Sequence, residues 1–152
     1  MANTFSQIYL QFVFAVQKRR YLIPREHKEE LHKYMTGLVQ NRKAKMIAVH
    51  CMPDHTHLFV GFKPSVLISD FVKEIKVGSN SFINQKGWMD SKFKWQTGYG
   101  VFSYSQSQID RVAKYVLNQE QHHKKRTFRD EYLDLLQKFD IPFDEKYLFH
   151  FF

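Results

Sequence analysis

The chain has 152 residues, 43% of them apolar, the size of one domain able to bury its own core. Twenty-three Lys and Arg against fifteen Asp and Glu give a net charge of +8 and a pI near 9.5, favouring a polyanionic partner such as nucleic acid over an acidic protein. The single cysteine, Cys51, excludes an intramolecular disulfide and a multi-cysteine zinc site, and no leader or apolar run near the roughly 20 residues of a membrane span is present. One domain over residues 1–152, off the membrane and in the cytoplasm, is the expectation.

In chain order, "YLQFVFAV" (Tyr9 to Val16) is rich in β-branched and aromatic residues and stops at Lys18, Arg19 and Arg20, as a strand ending at the surface does. Pro24 suits a first helical turn, and Leu31, Tyr34, Met35, Leu38 and Val39 then recur at helical spacing. "KMIAVHCM" and "HTHLFVGF" read as two strands joined through Pro53-Asp54, an antiparallel hairpin. Ile68, Phe71, Val72, Ile75 and Phe82 predict a second helix over about residues 67 to 83, weakened at Gly78 by roughly 1 kcal/mol. "FKWQTGYGVFSYS" supplies at least one more strand. Ile109, Val112, Ala113, Val116 and Leu117 mark a third helix, and Tyr132, Leu133, Leu135, Leu136 and Phe139 a fourth. The order βαββαβ followed by helices matches an α+β, ferredoxin-like (RRM-like) antiparallel sheet with helices on one face.

Within "MPDHTHLFV" the strand period places His55, His57 and Phe59 on one side, with Thr56, Leu58 and Val60 on the other. If helices cover the Leu58 side, both imidazoles lie on the open face, close enough to share one metal ion. Two ligands do not make a stable site, so a third must come from an element crossing that face. The third helix offers Tyr115, Asn118, Gln119, His122 and His123 in "YVLNQEQHH", with Tyr115 and Gln119 at i, i+4 and His122 continuing their stripe. Taken singly, a histidine pair on a strand is a surface feature and a tyrosine at that helical position a half-buried aromatic.

Together these stretches resemble the single-tyrosine HUH transposases of small bacterial insertion sequences, a group that includes the REP-associated tyrosine transposases. The family's "MPDH-x-HL" stands as Met52 to Leu58, its "WQ-x-GY" as Trp95 to Tyr99, and its "Y-x-x-NQ-x-x-HH" as Tyr115 to His123. The resemblance implies a catalytic helix across the second sheet face. It assigns Tyr115 as the nucleophile on single-stranded DNA and His55, His57 and Gln119 as ligands of Mg²⁺ or Mn²⁺, with Asn118 and His122 as accessory residues. It also implies hairpin-ended DNA as partner and a homodimer whose tyrosine helix can act in trans. One departure is Thr56, where the family usually has a bulky apolar residue; its side chain points away from the pair.

A phenol with a pKa near 10 is a poor nucleophile at neutral pH without a cation, so this residue set suits metal-assisted phosphodiester attack leaving a 5′-phosphotyrosine and a free 3′-hydroxyl. By ligand preference alone, two imidazoles and an amide oxygen suit zinc or manganese. Lys18, Arg19, Arg20, Lys124, Lys125, Arg126 and Arg129 are candidates to hold phosphates, and Tyr99, Phe102 and Tyr104 to stack on unpaired bases. Two other readings are an RRM-like single-strand binder without catalysis and a domesticated nuclease that no longer mobilises an element; only the first has no need of the Tyr115, Gln119 and histidine set.

Overall fold

The computed structural model describes residues 3–151. Strand β1 (Tyr9–Ala15) pairs antiparallel with β3 (His55–Gly61) on one side and β4 (Gly100–Tyr104) on the other. Strand β2 (Lys45–Cys51) adds outside β3, giving the order β2-β3-β1-β4. β1 is central because its run is apolar on both faces, so it can be covered twice. With α1 (Lys28–Asn41) between β1 and β2 and α2 (Ile68–Lys86) between β3 and β4, the connectivity is the expected ferredoxin-like α+β sheet. The Pro53-Asp54 hairpin forms as predicted, the Met52 amide donating to the His55 carbonyl at 2.8 Å. "WQTGY" is mostly loop, Trp95 making an isolated bridge to Val16 before β4 begins.

On one face, Phe12, Phe14, Leu58 and Val60 join Leu31, Met35, Phe71 and Ile75 in the main core, with the Phe71 ring 5.1 Å from both Phe12 and Phe62. Gly78 does not interrupt α2. A Cβ there would stand 2.8 Å from both Leu38 methyls, so the weak helix former is what lets α1 and α2 close on each other.

The other face is closed, as a helix crossing it requires. It is covered by α3 (Ile109–Leu117), the single turn α4 (Gln119–His122) and α5 (Phe128–Lys138), and both His55 and His57 are fully buried. α3 docks through Val112 and Val116 onto Ala48 and Phe59. The third helix is also not continuous: Asn118, at φ −96° and ψ 21°, ends α3 before α4 restarts. Phe102 is buried beside Tyr132 and Phe139, which removes its ring from stacking on bases, while Tyr104 is half-buried against Phe59 and Phe139 with its hydroxyl accepting from Gln11. The aromatic tail closes the core: Phe149 packs on Phe128 and Tyr132 at 5.9 and 4.9 Å, while Phe152 lies outside the described residues.

Candidate active site

β3 delivers its two histidines through strand alternation, and each ring is anchored at Nδ1. His55 Nδ1 lies 2.7 Å from Asp54 Oδ1, and His57 Nδ1 lies 2.6 Å from Gln11 Oε1. Gln11 sits on the neighbouring strand facing the same side, and its own amide donates to Tyr104 Oη at 2.7 Å, which leaves Oε1 to accept from the imidazole. Both rings therefore direct Nε2 to a common centre. An outer oxygen that fixes the tautomer in this way is the usual support of a metal-binding histidine.

α5 brings Glu131 to that centre. The row His57, Val13, Gly100 runs across three paired strands, and at Gly100 a Cβ would meet Tyr132 Oη at 2.7 Å and Cε1 at 2.9 Å. The bare position lets Tyr132 settle against β4, and with it the first turn of α5. Thr127 caps that helix, its side chain accepting from the Asp130 amide at 3.1 Å, and the positive helix end favours a carboxylate in the first turn. Glu131 is buried with Oε1 at 3.1 Å from His57 Nε2, 3.1 Å from His123 Nε2 and 3.5 Å from His55 Nε2. Its Oε2 accepts from the Tyr115 hydroxyl and from Gln119 Nε2 at 3.0 Å.

The predicted residues Tyr115 and Gln119 thus reach the histidine pair within one chain. Gln119 Oε1 lies 3.3 Å from His55 Nε2 and 3.0 Å from His123 Nε2. The break at Asn118 does not scatter this stripe, because α4 is tied down beyond it: Glu120 pairs with Arg25 and, at 3.4 to 3.5 Å, with His50 and Lys28. Asn118 itself is exposed, and His122 lies against the Tyr115 ring at 4.8 Å.

Electrostatically the cluster is strongly coupled. Burial pushes His55 down, but the Asp54 and Glu131 carboxylates outweigh it and bring the imidazole up to about 9. His57 is held below its ordinary value, by burial first, with Glu131 opposing. Burial raises the Glu131 carboxyl, yet His57, His123 and His55 together hold it far below the usual carboxylate range. The Tyr115 phenol is pushed well above its ordinary value by burial and by the Glu131 charge. With its proton committed to Gln11, neutral His57 aims a lone pair at a carboxylate oxygen 3.1 Å away. Two acceptors so placed repel each other unless a cation stands between them. His55, His57 and Glu131 offer donor atoms all within 4.8 Å of one another, a set that fits a divalent metal.

Three contributors were missed by sequence reasoning, and each left a trace. Asp54 immediately precedes the first histidine, Gln11 is a polar residue inside the apolar β1 run, and Glu131 falls on the buried stripe of α5 with Phe128, Tyr132 and Leu135. Among the predicted phosphate contacts, Arg19, Lys124, Lys125, Arg126 and Arg129 line a cleft of about 850 Å³ that opens beside His123, Asp54 and Phe128. Lys18 and Arg20 lie instead over the Tyr21 ring. Tyr99 lines a separate groove along α2 with Lys73, Lys76 and Trp95. No helix of the described residues is long and apolar enough to cross a membrane.

Comparison with known proteins agrees with this architecture. Residues 4–119 match the family described as "Transposase IS200 like". Over 120 residues the chain is 25% identical to the ISDra2 transposase TnpA of Deinococcus radiodurans, covering 74% of this chain and 84% of that protein. The fold is similar to a transposase crystal structure from Deinococcus radiodurans R1, with a TM-score of 0.58 and 22% identity over 78% of this chain and 95% of that one. It is also similar to a REP-associated tyrosine transposase bound to a REP hairpin, with a TM-score of 0.59 and 15% identity over 81% of this chain and 73% of that one. The chain therefore belongs to the IS200-like transposases, the single-tyrosine HUH family of enzymes that cut and join DNA.

Proposed function

We propose that this protein is a divalent-metal-dependent transposase for single-stranded DNA in which Tyr115 is the nucleophile and His55, His57, Gln119 and Glu131 hold Mg²⁺ or Mn²⁺. The observation that carries the reading is one buried carboxylate with two faces, Oε1 turned to the imidazoles and Oε2 accepting from the Tyr115 hydroxyl. When bound, the cation supplies Lewis acidity, drawing charge from a nonbridging oxygen of the scissile phosphate. Tyr115 Oη attacks the phosphorus in line, and the bond to the 3′ oxygen breaks. A 5′-phosphotyrosine and a free 3′-hydroxyl remain. The phenolic proton has an acceptor already in hydrogen-bond contact, Glu131 Oε2, and Gln119 Nε2 holds that oxygen in place. Because the covalent link keeps the phosphodiester's energy, a second 3′-hydroxyl reverses the step on a new strand without ATP.

The basic cleft supports a polyanionic strand entering beside His123, its Phe128 and Phe151 wall offering apolar surface to a sugar or base. The similarly folded REP-associated transposase is bound to a REP hairpin, and a hairpin at the element's end is the substrate we assign by that likeness. Within one chain, Tyr115, Gln119 and Glu131 already reach the two histidines.

With a labelled single-stranded hairpin and Mn²⁺, the wild-type protein should form a covalent adduct that survives denaturation, and Tyr115→Phe should abolish it. An adduct in the Phe variant would remove Tyr115 as nucleophile. Hairpin binding with no adduct at all would leave an RRM-like binder.

A further inference from the structure

In the "WQTGY" loop, Trp95 is buried with its indole N–H donating to Ser79 Oγ at 3.0 Å, and Lys76 Nζ donates to the carbonyls of Gln96 and Gly98 at 2.8 and 2.6 Å. A loop fastened in this way holds the Gln96 side chain at a fixed point. From there Gln96 Nε2 donates to the Val16 carbonyl at 3.0 Å and to the His150 carbonyl at 2.7 Å, while Oε1 accepts from the His150 amide at 2.8 Å. One side-chain amide thus pairs both backbone groups of a tail residue, as a neighbouring strand would.

The residues on either side of His150 carry the consequence. Phe149 is buried against Phe128 and Tyr132, and half-buried Phe151 packs on Phe128 at 5.4 Å and lines the basic cleft with Arg19, Lys124 and Arg126. Phe128 in turn lies flat on the His55 imidazole, 3.9 Å and 6° from it, so the wall is continuous with the buried centre. Gln96 lies inside the segment matched by the family, residues 4–119, and the tail it holds lies beyond it.

We infer that Gln96 is a positioning residue for the DNA strand: it clamps the C-terminal segment so that Phe151 forms the apolar wall of the cleft on which an unpaired base stacks. The inference rests on the cleft reading above and adds to it the residue that holds the wall. Terminal segments are poorly ordered unless tied down, and the Gln96 amide supplies the tie. Without it Phe151 can leave the cleft. Every base has a π face, so the ligand assigned to this wall is an unpaired nucleotide of any sequence.

The test uses the full chain and a fluorescent hairpin with a single-stranded flank. In the wild type the His150 amide should exchange with solvent at least about 100-fold more slowly than an unprotected amide, read by NMR, and Gln96→Leu should remove that protection. An unprotected His150 amide in the wild type would overturn the clamp. Phe151→Ala and Gln96→Leu should each weaken hairpin binding by about tenfold. The double variant should bind no more weakly than either alone, because both changes remove one contact. A general loss of stability would not produce that pattern. Losses that multiply, or wild-type affinity in either single variant, would overturn the inference. Should Gln96→Leu fail to fold, Gln96→Glu enters the same cycle, since it keeps an acceptor for the His150 amide and offers no donor to its carbonyl. If the wild type binds no single-stranded DNA, the function proposed above fails and this inference with it; if it binds and the variants bind equally well, only the positioning role fails.

Discussion

His57 works through a residue that never touches the centre. Gln11 accepts its Nδ1 proton and is held in turn by Tyr104, so the Nε2 lone pair is aimed by a hydrogen-bond chain across three strands. Gln11→Leu keeps the bulk but leaves that buried N–H unpaired and the ring free to rotate. We expect Mn²⁺ affinity to fall by about 10- to 100-fold, measured by the EPR signal of free Mn²⁺, with little change in the far-UV spectrum. A second histidine must stay neutral for a different reason. His32 Nε2 accepts from the Cys51 amide at 2.8 Å, and burial, then the neighbouring His50, lowers its pKa from 6.5 to about 4. Since the folded state binds this proton less readily than the unfolded chain, the stabilisation is complete above pH 6.5 and drains as pH falls toward 4, by up to about 3 kcal/mol. His32→Gln keeps an acceptor without the titration. Its urea midpoint should lose less than wild type between pH 7 and pH 5, and an equal loss would place the acid sensitivity elsewhere.

At the scale of elements, the position of α5 decides whether the centre exists. Glu131 reaches His57 because Gly100 on β4 carries no side chain and Tyr132 occupies its place. Gly100→Ala puts a methyl within 2.7 to 2.9 Å of a packed aromatic ring, which must move and carry the first turn of α5 with it. The cost should be about 1 to 3 kcal/mol in denaturant unfolding, as for overpacked cores, accompanied by weaker Mn²⁺ binding. Lost stability with intact metal affinity would show that Tyr132 yields without moving Glu131. The break at Asn118 belongs to this scale too. It separates the helix that docks on Phe59 from the turn that carries Gln119, and Glu120 anchors that turn to Arg25, Lys28 and His50.

Across the whole molecule the two sheet faces divide the work. The α1 and α2 side holds most of the aromatic core, while the opposite side carries the polar cluster under α3, α4 and α5, with the basic cleft at its edge. A net charge of +8 distributed in this way makes strand binding a counterion-release process. Affinity for a single-stranded hairpin flank should fall linearly on a log–log salt plot. Replacing Lys124 and Lys125 together by Ala should flatten the slope by about 1.4, at about 0.7 for each phosphate left without its lysine. An unchanged slope would take these two side chains out of the strand's path.

Much of this was legible before folding. Alternation in β3 placed the histidines on one face, helical spacing placed Tyr115 and Gln119 together, and the element order matched the sheet that formed. These are local periodicities, set within a few residues, and a sequence displays them directly. Glu131 and Gln11 are a different case: each is a polar residue whose partners lie on other elements, and its meaning depends on strand register and helix docking, whereas Asp54 adjoins the histidine it holds. A carboxylate on the buried stripe of α5 could be read as an oddity, but its placement over His57 required the row His57, Val13, Gly100 to assemble and Tyr132 to fit against it. Sequence by itself determined which chemistry was on offer; the packing of α5 onto β4 decided which side chains share one buried volume, because contacts between distant elements follow from shape and register rather than from spacing along the chain.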